Sequence, residues 1–324
     1  MLYVQPHDVK QKLDLGQHER FSPQMTTERA SPRYAGIDVW EPADILESLI
    51  EGQFAAVAAV RAALPEIEAA AIAMQKRLRE RGRLVYAGAG TSGRMGVQDG
   101  AELIPTFSWP DDRLLLLIAG GKDALLQSVE GAEDEVEQAV ALVTRHEINA
   151  ADVLIAVAAS GTTPFTMTCL REARKRGALT VGIANNRDTP ILHESHHAIL
   201  LNTGSEPIAG STRMKAGTAQ KIALNLLSSL LMILLGRVYQ GLMVDVRALN
   251  EKLVRRSEDM LMQLTGRSRD EARAALDRAN GSVKVAVLLL HGCDPDRAAD
   301  LLDRAAGQLG KALELLKAPG SDAA

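Results

Sequence analysis

Two short loops in this chain combine glycines with neighbouring hydroxyls, a pairing suited to holding an oxyanion. The first, Gly88-Ala89-Gly90-Thr91-Ser92-Gly93, lies between an apolar run and a helical pattern. The second, Ala159-Ser160-Gly161-Thr162-Thr163-Pro164, has the same setting. A helix N-terminus carries unpaired N–H groups and a partial positive charge, so hydroxyls there help to hold an anion or a polyhydroxy ligand. A phosphomonoester needs several short donors converging on three oxygens, and two such loops on one sheet supply them. Thr91, Ser92, Ser160, Gly161 and Thr163 are therefore the candidate ligand contacts.

The first loop is a literal GxGxxG, yet the dinucleotide reading lacks its second half. That reading wants an acidic residue at the end of the next strand to hold the ribose, and Leu114 to Gly121 offers none. Nor is it a P-loop, because Arg94-Met95 stands where Lys-Ser/Thr is needed.

Five apolar runs position these loops. They are Leu84-Val85-Tyr86-Ala87, Leu114 to Ala119, Val153 to Val157, Leu179 to Ile183, and Ala198 to Leu201. Each is continuously apolar, as strands covered on both faces must be. Helical patterns of ten or more residues separate most of them, which predicts an α/β fold: a three-layer parallel sheet of about five strands. Ligands in such sheets gather at the carboxyl ends of the strands.

The sheet is expected within a domain spanning 46–245, preceded by a polar arm, 1–45, and followed by a helical subdomain, 246–324. A helical, Ala-rich pattern runs from Pro42 to Arg81. Beyond Asp245 about three small helices are expected. Ser268 with Glu271 can form a capping box, Asn280-Gly281 can close that helix, and Asp294-Pro295 can open another. Ile222 to Leu235 is the most apolar run, but Asn225, Ser228 and Ser229 interrupt it, so it reads as a helix buried in a core or subunit interface.

Composition narrows the ligand. Lys+Arg 37 against Asp+Glu 41 gives a net charge of −4, without the basic excess of a nucleic-acid or membrane-surface protein. Aromatics are only 3%, which leaves few platforms for ring stacking, so hydroxyls, amides and charges must hold any ligand. Cys169 and Cys293 stand far apart, with no metal-ligand spacing, and fit a reducing cytoplasm. No signal peptide is evident after Met1.

The paired loops resemble the sugar-isomerase (SIS) phosphosugar-binding fold, in which the second loop holds the sugar phosphate. The fuller text is similar to the N-acetylmuramic acid 6-phosphate etherase family. That likeness rests on Thr27-Glu28-Arg29 ahead of Gly36-Ile37-Asp38, on the first loop with Arg94, and on Val129-Glu130-Gly131-Ala132-Glu133-Asp134. It continues through Gly210-Ser211-Thr212-Arg213-Met214-Lys215-Ala216-Gly217-Thr218-Ala219-Gln220-Lys221 and Asn250-Glu251-Lys252-Leu253. The resemblance runs from about residue 26 to beyond 310.

That resemblance implies two catalytic glutamates, Glu102 and Glu133, with no metal or redox cofactor. Glu102 precedes Pro105, which should end its helix and leave Glu102 in the last turn, at the negative end of the dipole among apolar neighbours. Both features favour a proton-holding acid. Glu133, among Glu130, Asp134, Glu135 and Glu137, reads alone as part of a solvated acidic face, and the family alone makes it the base. Gly131 beside it costs about 1 kcal/mol relative to alanine inside a helix, and so suggests close approach of a ligand or another backbone. Arg213 and Lys215 bring two cations near the turn before the long apolar helix, where they can hold a phosphate or a carboxylate. The implied reaction releases D-lactate from the sugar phosphate and yields N-acetylglucosamine 6-phosphate, a step in recycling cell-wall amino sugars. A homodimer is expected.

The text also departs from the family, which commonly has Arg in place of Thr162 and Ala-Ser-Glu where this chain has Gly100-Ala101-Glu102. The first change bears on substrate affinity. Two other readings share the fold: an aldose–ketose isomerase, and a non-catalytic phosphosugar sensor resembling the glucokinase regulatory protein.

Overall fold

A computed structural model of the chain describes residues 25–246 and 251–318. The first 24 residues of the expected arm and Asn250 of the family text lie outside the described residues. Five parallel strands form the central sheet: β1 (Leu84–Gly88), β2 (Leu114–Ile118), β3 (Val153–Val157), β4 (Leu179–Ala184) and β5 (His197–Leu200). Their order is β2-β1-β3-β4-β5, with β1 in register between β2 and β3. Each strand lies within a residue of its apolar run, because a sheet covered on both faces accepts no polar alternation.

Successive side chains serve opposite cores. Leu84 and Tyr86 join a core that includes Ala56, Ile67, Met74 and Leu227. These come from α1 (Pro42–Ala62), α2 (Leu64–Leu78) and α7 (Lys215–Leu234), with α3 (Gly90–Phe107) on the same side. Val85 and Ala87 join the opposite core with Val143, Phe165, Leu170 and Ile191, from α4 (Val136–Arg145), α5 (Pro164–Lys175) and α6 (Pro190–Glu194). The architecture is thus three layers. By length and composition α7 could cross a membrane, at a mean hydropathy of 1.3, yet half of that window is buried inside the fold.

The structure revises several expectations. The single helical pattern from Pro42 to Arg81 is two helices, because Pro65 sits in the first turn of α2 and the chain breaks at Ala63. Pro105 does not end α3, which runs on to Phe107. The N–H that proline lacks would have bonded the carbonyl of Ala101, a residue on the exposed side of the helix. Left-handed Ser108 then ends the helix, with Trp109 N–H bonding the Leu103 carbonyl. Gly131 is not helical: it has φ 71° before a single 3-10 turn, Ala132–Asp134. A Cβ there would meet nothing within 4 Å, so conformation rather than crowding calls for glycine.

After α7 come a two-stranded hairpin, β6 (Val238–Tyr239) with β7 (Leu242–Met243), and five helices rather than about three. They are α8 (Glu251–Thr265), α9 (Arg269–Arg278), α10 (Val283–Leu290), α11 (Pro295–Arg304) and α12 (Leu309–Lys317), around a third core centred on Leu261, Leu288 and Leu301. Ser268 and Glu271 form the capping box, left-handed Asn280 and Gly281 close α9, and Asp294 caps α11.

Candidate active site

At a sheet's topological switch point the loops after two neighbouring strands diverge and leave a crevice. Here that point lies between β1 and β3, so the two glycine-hydroxyl loops meet over one cleft of about 420 Å³. Gly90, Thr91 and Ser92 line it from the first loop, and Ser160, Thr162, Thr163 and Pro164 from the second.

The first loop turns tightly because two glycines let its ends touch. A Cβ on Gly88 or Gly93 would stand only 2.9 Å or less from the other residue's backbone. The N-terminus of α3 is thereby pressed onto the end of β1. Gly93 N–H bonds the Ala89 carbonyl, while no described group bonds the N–H of Gly90, Thr91 or Ser92. In the second loop Gly161 has φ 73°, and a Cβ there would overlap Thr189 Oγ1 at 2.3 Å. Gly161 thus shapes the turn and does not line the cleft. Ser160 Oγ lies 3.3 Å from Thr163 Oγ1 and accepts the Thr162 N–H at 3.2 Å. Thr163 precedes α5 without capping it through its side chain. Two uncapped helix N-termini therefore face the same cleft, each with a partial positive charge.

Carboxylates supply the opposite wall. Glu133 and Asp134 line the cleft from the 3-10 turn after β2, whose buried Ala132 packs into the core under α5. Arg94 steadies the preceding loop, its guanidinium donating to the carbonyls of Ala124 at 2.8 Å and Gln127 at 3.1 Å. The third carboxylate, Glu28, belongs to the Thr27-Glu28-Arg29 stretch of the family resemblance. It reaches the cleft because the neighbouring Thr27 is buried against Asn186, beyond the end of β4. Gly210 and Thr212 complete the lining, and none of the lining residues is cationic.

Three residues proposed from the sequence lie elsewhere within the chain. Glu102 is exposed on α3, twelve residues past Gly90, about 18 Å along the axis at 1.5 Å per residue. It is not enclosed by apolar neighbours. Lys215 is buried, with its aliphatic stem against Gly52 of α1, and burial pushes its ammonium below the ordinary range. Arg213 is exposed and outside the cleft lining. The N-terminus of α7 already holds an anion of the protein's own. The buried carboxylate of Glu206 accepts the N–H groups of Lys215 at 3.0 Å and Ala216 at 2.8 Å. Burial raises the Glu206 carboxyl above its usual value, against the pull of those two bonds and the Lys215 charge. No motif in the sequence marked Glu206, because a cap nine residues from its helix follows no fixed spacing.

Comparison with known proteins places this geometry. Residues 123–230 match the SIS domain family, and residues 66–174 match the family described as glucokinase regulatory protein N-terminal SIS domain. Among curated relatives, the N-acetylmuramic acid 6-phosphate etherase of Deinococcus radiodurans is 50% identical over 92% of this chain and 98% of its own length. The etherase of Streptomyces coelicolor is 47% identical over 89% of this chain and 93% of its own. That of Serratia proteamaculans is 41% identical over 89% and 98%. Similarity this high, carried through the α/β sheet and on into the helical part, means that the chain belongs to the N-acetylmuramic acid 6-phosphate etherase family.

Proposed function

We propose that this enzyme cleaves the D-lactyl ether of N-acetylmuramic acid 6-phosphate, giving D-lactate and N-acetylglucosamine 6-phosphate in the recycling of cell-wall amino sugars. The observation that carries the reading is one cleft in which two uncapped helix N-termini and their hydroxyls face Glu133, with no cation in the lining. In this reading the 6-phosphate rests on the loop of Ser160, Gly161 and Thr163, and Thr91 and Ser92 hold the sugar's other oxygens. Phosphate binding far from the reacting carbons supplies energy that orients them.

In the ring-opened sugar the C1 aldehyde acidifies the hydrogen on C2. Glu133 removes that proton, and the electron pair forms the C2–C3 double bond as the C3–O bond breaks. The departing lactyl oxygen takes a proton from Glu102. Water then adds to the unsaturated aldehyde, its oxygen going to C3 and a proton to C2. Each acid or base step contributes about 10²–10⁴-fold.

Glu102 lies too far along α3 to reach the cleft of its own chain, so we assign it to the cleft of a second copy in a homodimer. Supporting this, α1 exposes Leu46, Ile50, Phe54 and Val57 at helical spacing, and α7 exposes Leu226 and Ile233. Lys215, its stem packed against Gly52 of α1, supports the start of α7 in this reading. We divide the chain as a 1–45 arm, a 46–245 catalytic domain and a 246–324 helical subdomain. We place the reaction in the cytoplasm, which suits the free, buried Cys169 and Cys293.

The test is incubation with N-acetylmuramic acid 6-phosphate and enzymatic assay of D-lactate. Stoichiometric lactate and N-acetylglucosamine 6-phosphate are expected. Folded protein that releases no lactate would end this reading.

A further inference from the structure

A second cavity, of about 320 Å³, lies at the opposite, amino-terminal end of the strands, where the sheet domain meets the helical part. Four cationic side chains line it: Arg79 at the end of α2, Arg113 before β2, Arg237 after α7, and Lys284 on α10. Only two carboxylates, Asp245 and Asp303, share the lining. Asp245 is divided between two of the cations, with Arg237 Nη1 at 2.9 Å and Lys284 Nζ at 3.0 Å.

The positive charge here is held in place and partly desolvated. Arg113 and Arg237 both stack on the buried Trp109 ring, their guanidinium carbons 4.7 Å and 5.1 Å from its centroid. Burial first, and then repulsion from Arg237, holds the Arg113 guanidinium below its ordinary range. Backbone carbonyls satisfy only part of each fork. Arg113 donates from Nε and Nη2 to Gly82 and from Nη2 to Leu78, and Arg237 donates from Nη1 to Phe107 and Ser108. Among the described residues Arg113 Nη1, Arg237 Nε and Nη2, and the whole Arg79 head have no hydrogen-bond partner. A surplus of two positive charges and several guanidinium donors left free of protein partners around one pocket favour a compact multivalent anion.

We propose that this junction cavity is a second anion site, separate from the catalytic cleft, which takes a phosphate-type ligand and clamps the helical subdomain onto the sheet domain. The bound oxyanion spans Arg79 and Arg113 of the sheet domain, Arg237 of the connecting segment and Lys284 of the helical part. A phosphate group bound there favours the docked arrangement of the two parts, because only that arrangement assembles all four donors. The site stands on its own charges, whatever the catalytic cleft acts on.

Trp109 gives a local readout, since the chain has two tryptophans and Trp40 is not part of this lining. The experiment titrates inorganic phosphate into the full-length Trp40→Phe protein and follows Trp109 emission, against sodium chloride at matched ionic strength. A saturable change with phosphate alone is expected. Arg79→Ala, at an exposed position, and Lys284→Met, which leaves Asp245 paired with Arg237, should each weaken the phosphate midpoint by about tenfold or more, as loss of a charged hydrogen bond does. The thermal midpoint should rise with phosphate by about 2–4 °C, and that rise should shrink in both variants. An emission change equal in chloride, no saturable change, or a phosphate midpoint indifferent to both substitutions would overturn the proposal.

Discussion

Thr27 and Asn186, 159 residues apart, hold each other through two hydrogen bonds: Thr27 N–H donates to Asn186 Oδ1 at 3.3 Å, and Asn186 Nδ2 donates to Thr27 Oγ1 at 2.9 Å. Asn186 Nδ2 also donates to the Ala159 carbonyl at 2.9 Å, next to the Ser160 loop. One amide therefore fixes both the segment carrying Glu28 and the loop proposed for the phosphate.

Asn186→Ala should accordingly cost about 1–3 kcal/mol of stability, the usual result of leaving buried partners unsatisfied. It should also raise KM for the sugar phosphate. Denaturant unfolding and steady-state kinetics check the two effects. Glu28→Gln, by contrast, should leave the unfolding midpoint nearly unchanged while altering kinetics, since Glu28 is exposed in the cleft.

Mixed dimers discriminate between a shared and a single-chain site. Glu102→Gln and Glu133→Gln proteins should each lose at least about 10²-fold in kcat, the lower range for a proton-transfer group. Unfolded and refolded together, they should regain activity, because one cleft in each mixed dimer then holds both native glutamates. Mixtures as inactive as the parents would show that Glu102 does not act across an interface.

Proton exchange at C2 separates the base from the acid. Glu133→Gln should abolish incorporation of solvent deuterium at C2, whereas Glu102→Gln should slow lactate release without abolishing it. Mass spectrometry of recovered substrate reads the difference. Normal exchange in Glu133→Gln protein would assign the base elsewhere.

The turn at Gly161 should tolerate no side chain. Gly161→Ala adds a Cβ at φ 73° against Thr189, and a left-handed non-glycine residue already costs about 1–3 kcal/mol. Thr189→Gly in the same protein should recover the steric part of the loss and leave the backbone part. Thermal unfolding of the two variants compares them.

Asp152 and Arg83 set a pH dependence of known sign. Burial alone would push the Asp152 carboxyl up, but hydrogen bonds from the Arg83 side chain and from the backbone of Asn149 and Arg83, with the Arg83 charge, hold it below its ordinary value. A lowered carboxyl stabilises the fold above its unfolded value and loses that contribution as pH falls through the folded value. Asp152→Asn should thus cost about 1–3 kcal/mol at neutral pH, the range for a charged hydrogen-bond pair whose cation keeps some contact with water. The gap to the unaltered protein should close below the ordinary carboxylate range. Glu206, raised by burial, has the opposite sign: its contribution is present at acid pH and declines as pH rises through its folded value.

The strands and both hydroxyl loops were legible because each depends on local text: an apolar run, then a glycine turn, then a helix. Pro105 misled because a proline in the last turn of a helix costs a single bond, here on the helix's exposed side. Glu28 carried no local signal at all, since its place in the cleft depends on Thr27 meeting Asn186. Glu102 shows the reverse case. Its text is specific, but the geometry of one chain does not deliver it to the cleft.

The partial positive charge that the cleft offers an anion lies in the backbone ends of α3 and α5, not in a lysine or arginine. No single side-chain replacement can delete it. Under the proposed roles, chemistry and recognition are separately heritable in this scaffold: a change at Glu133 would silence the reaction yet leave the two helix ends that receive the sugar phosphate, one substitution away from the enzyme.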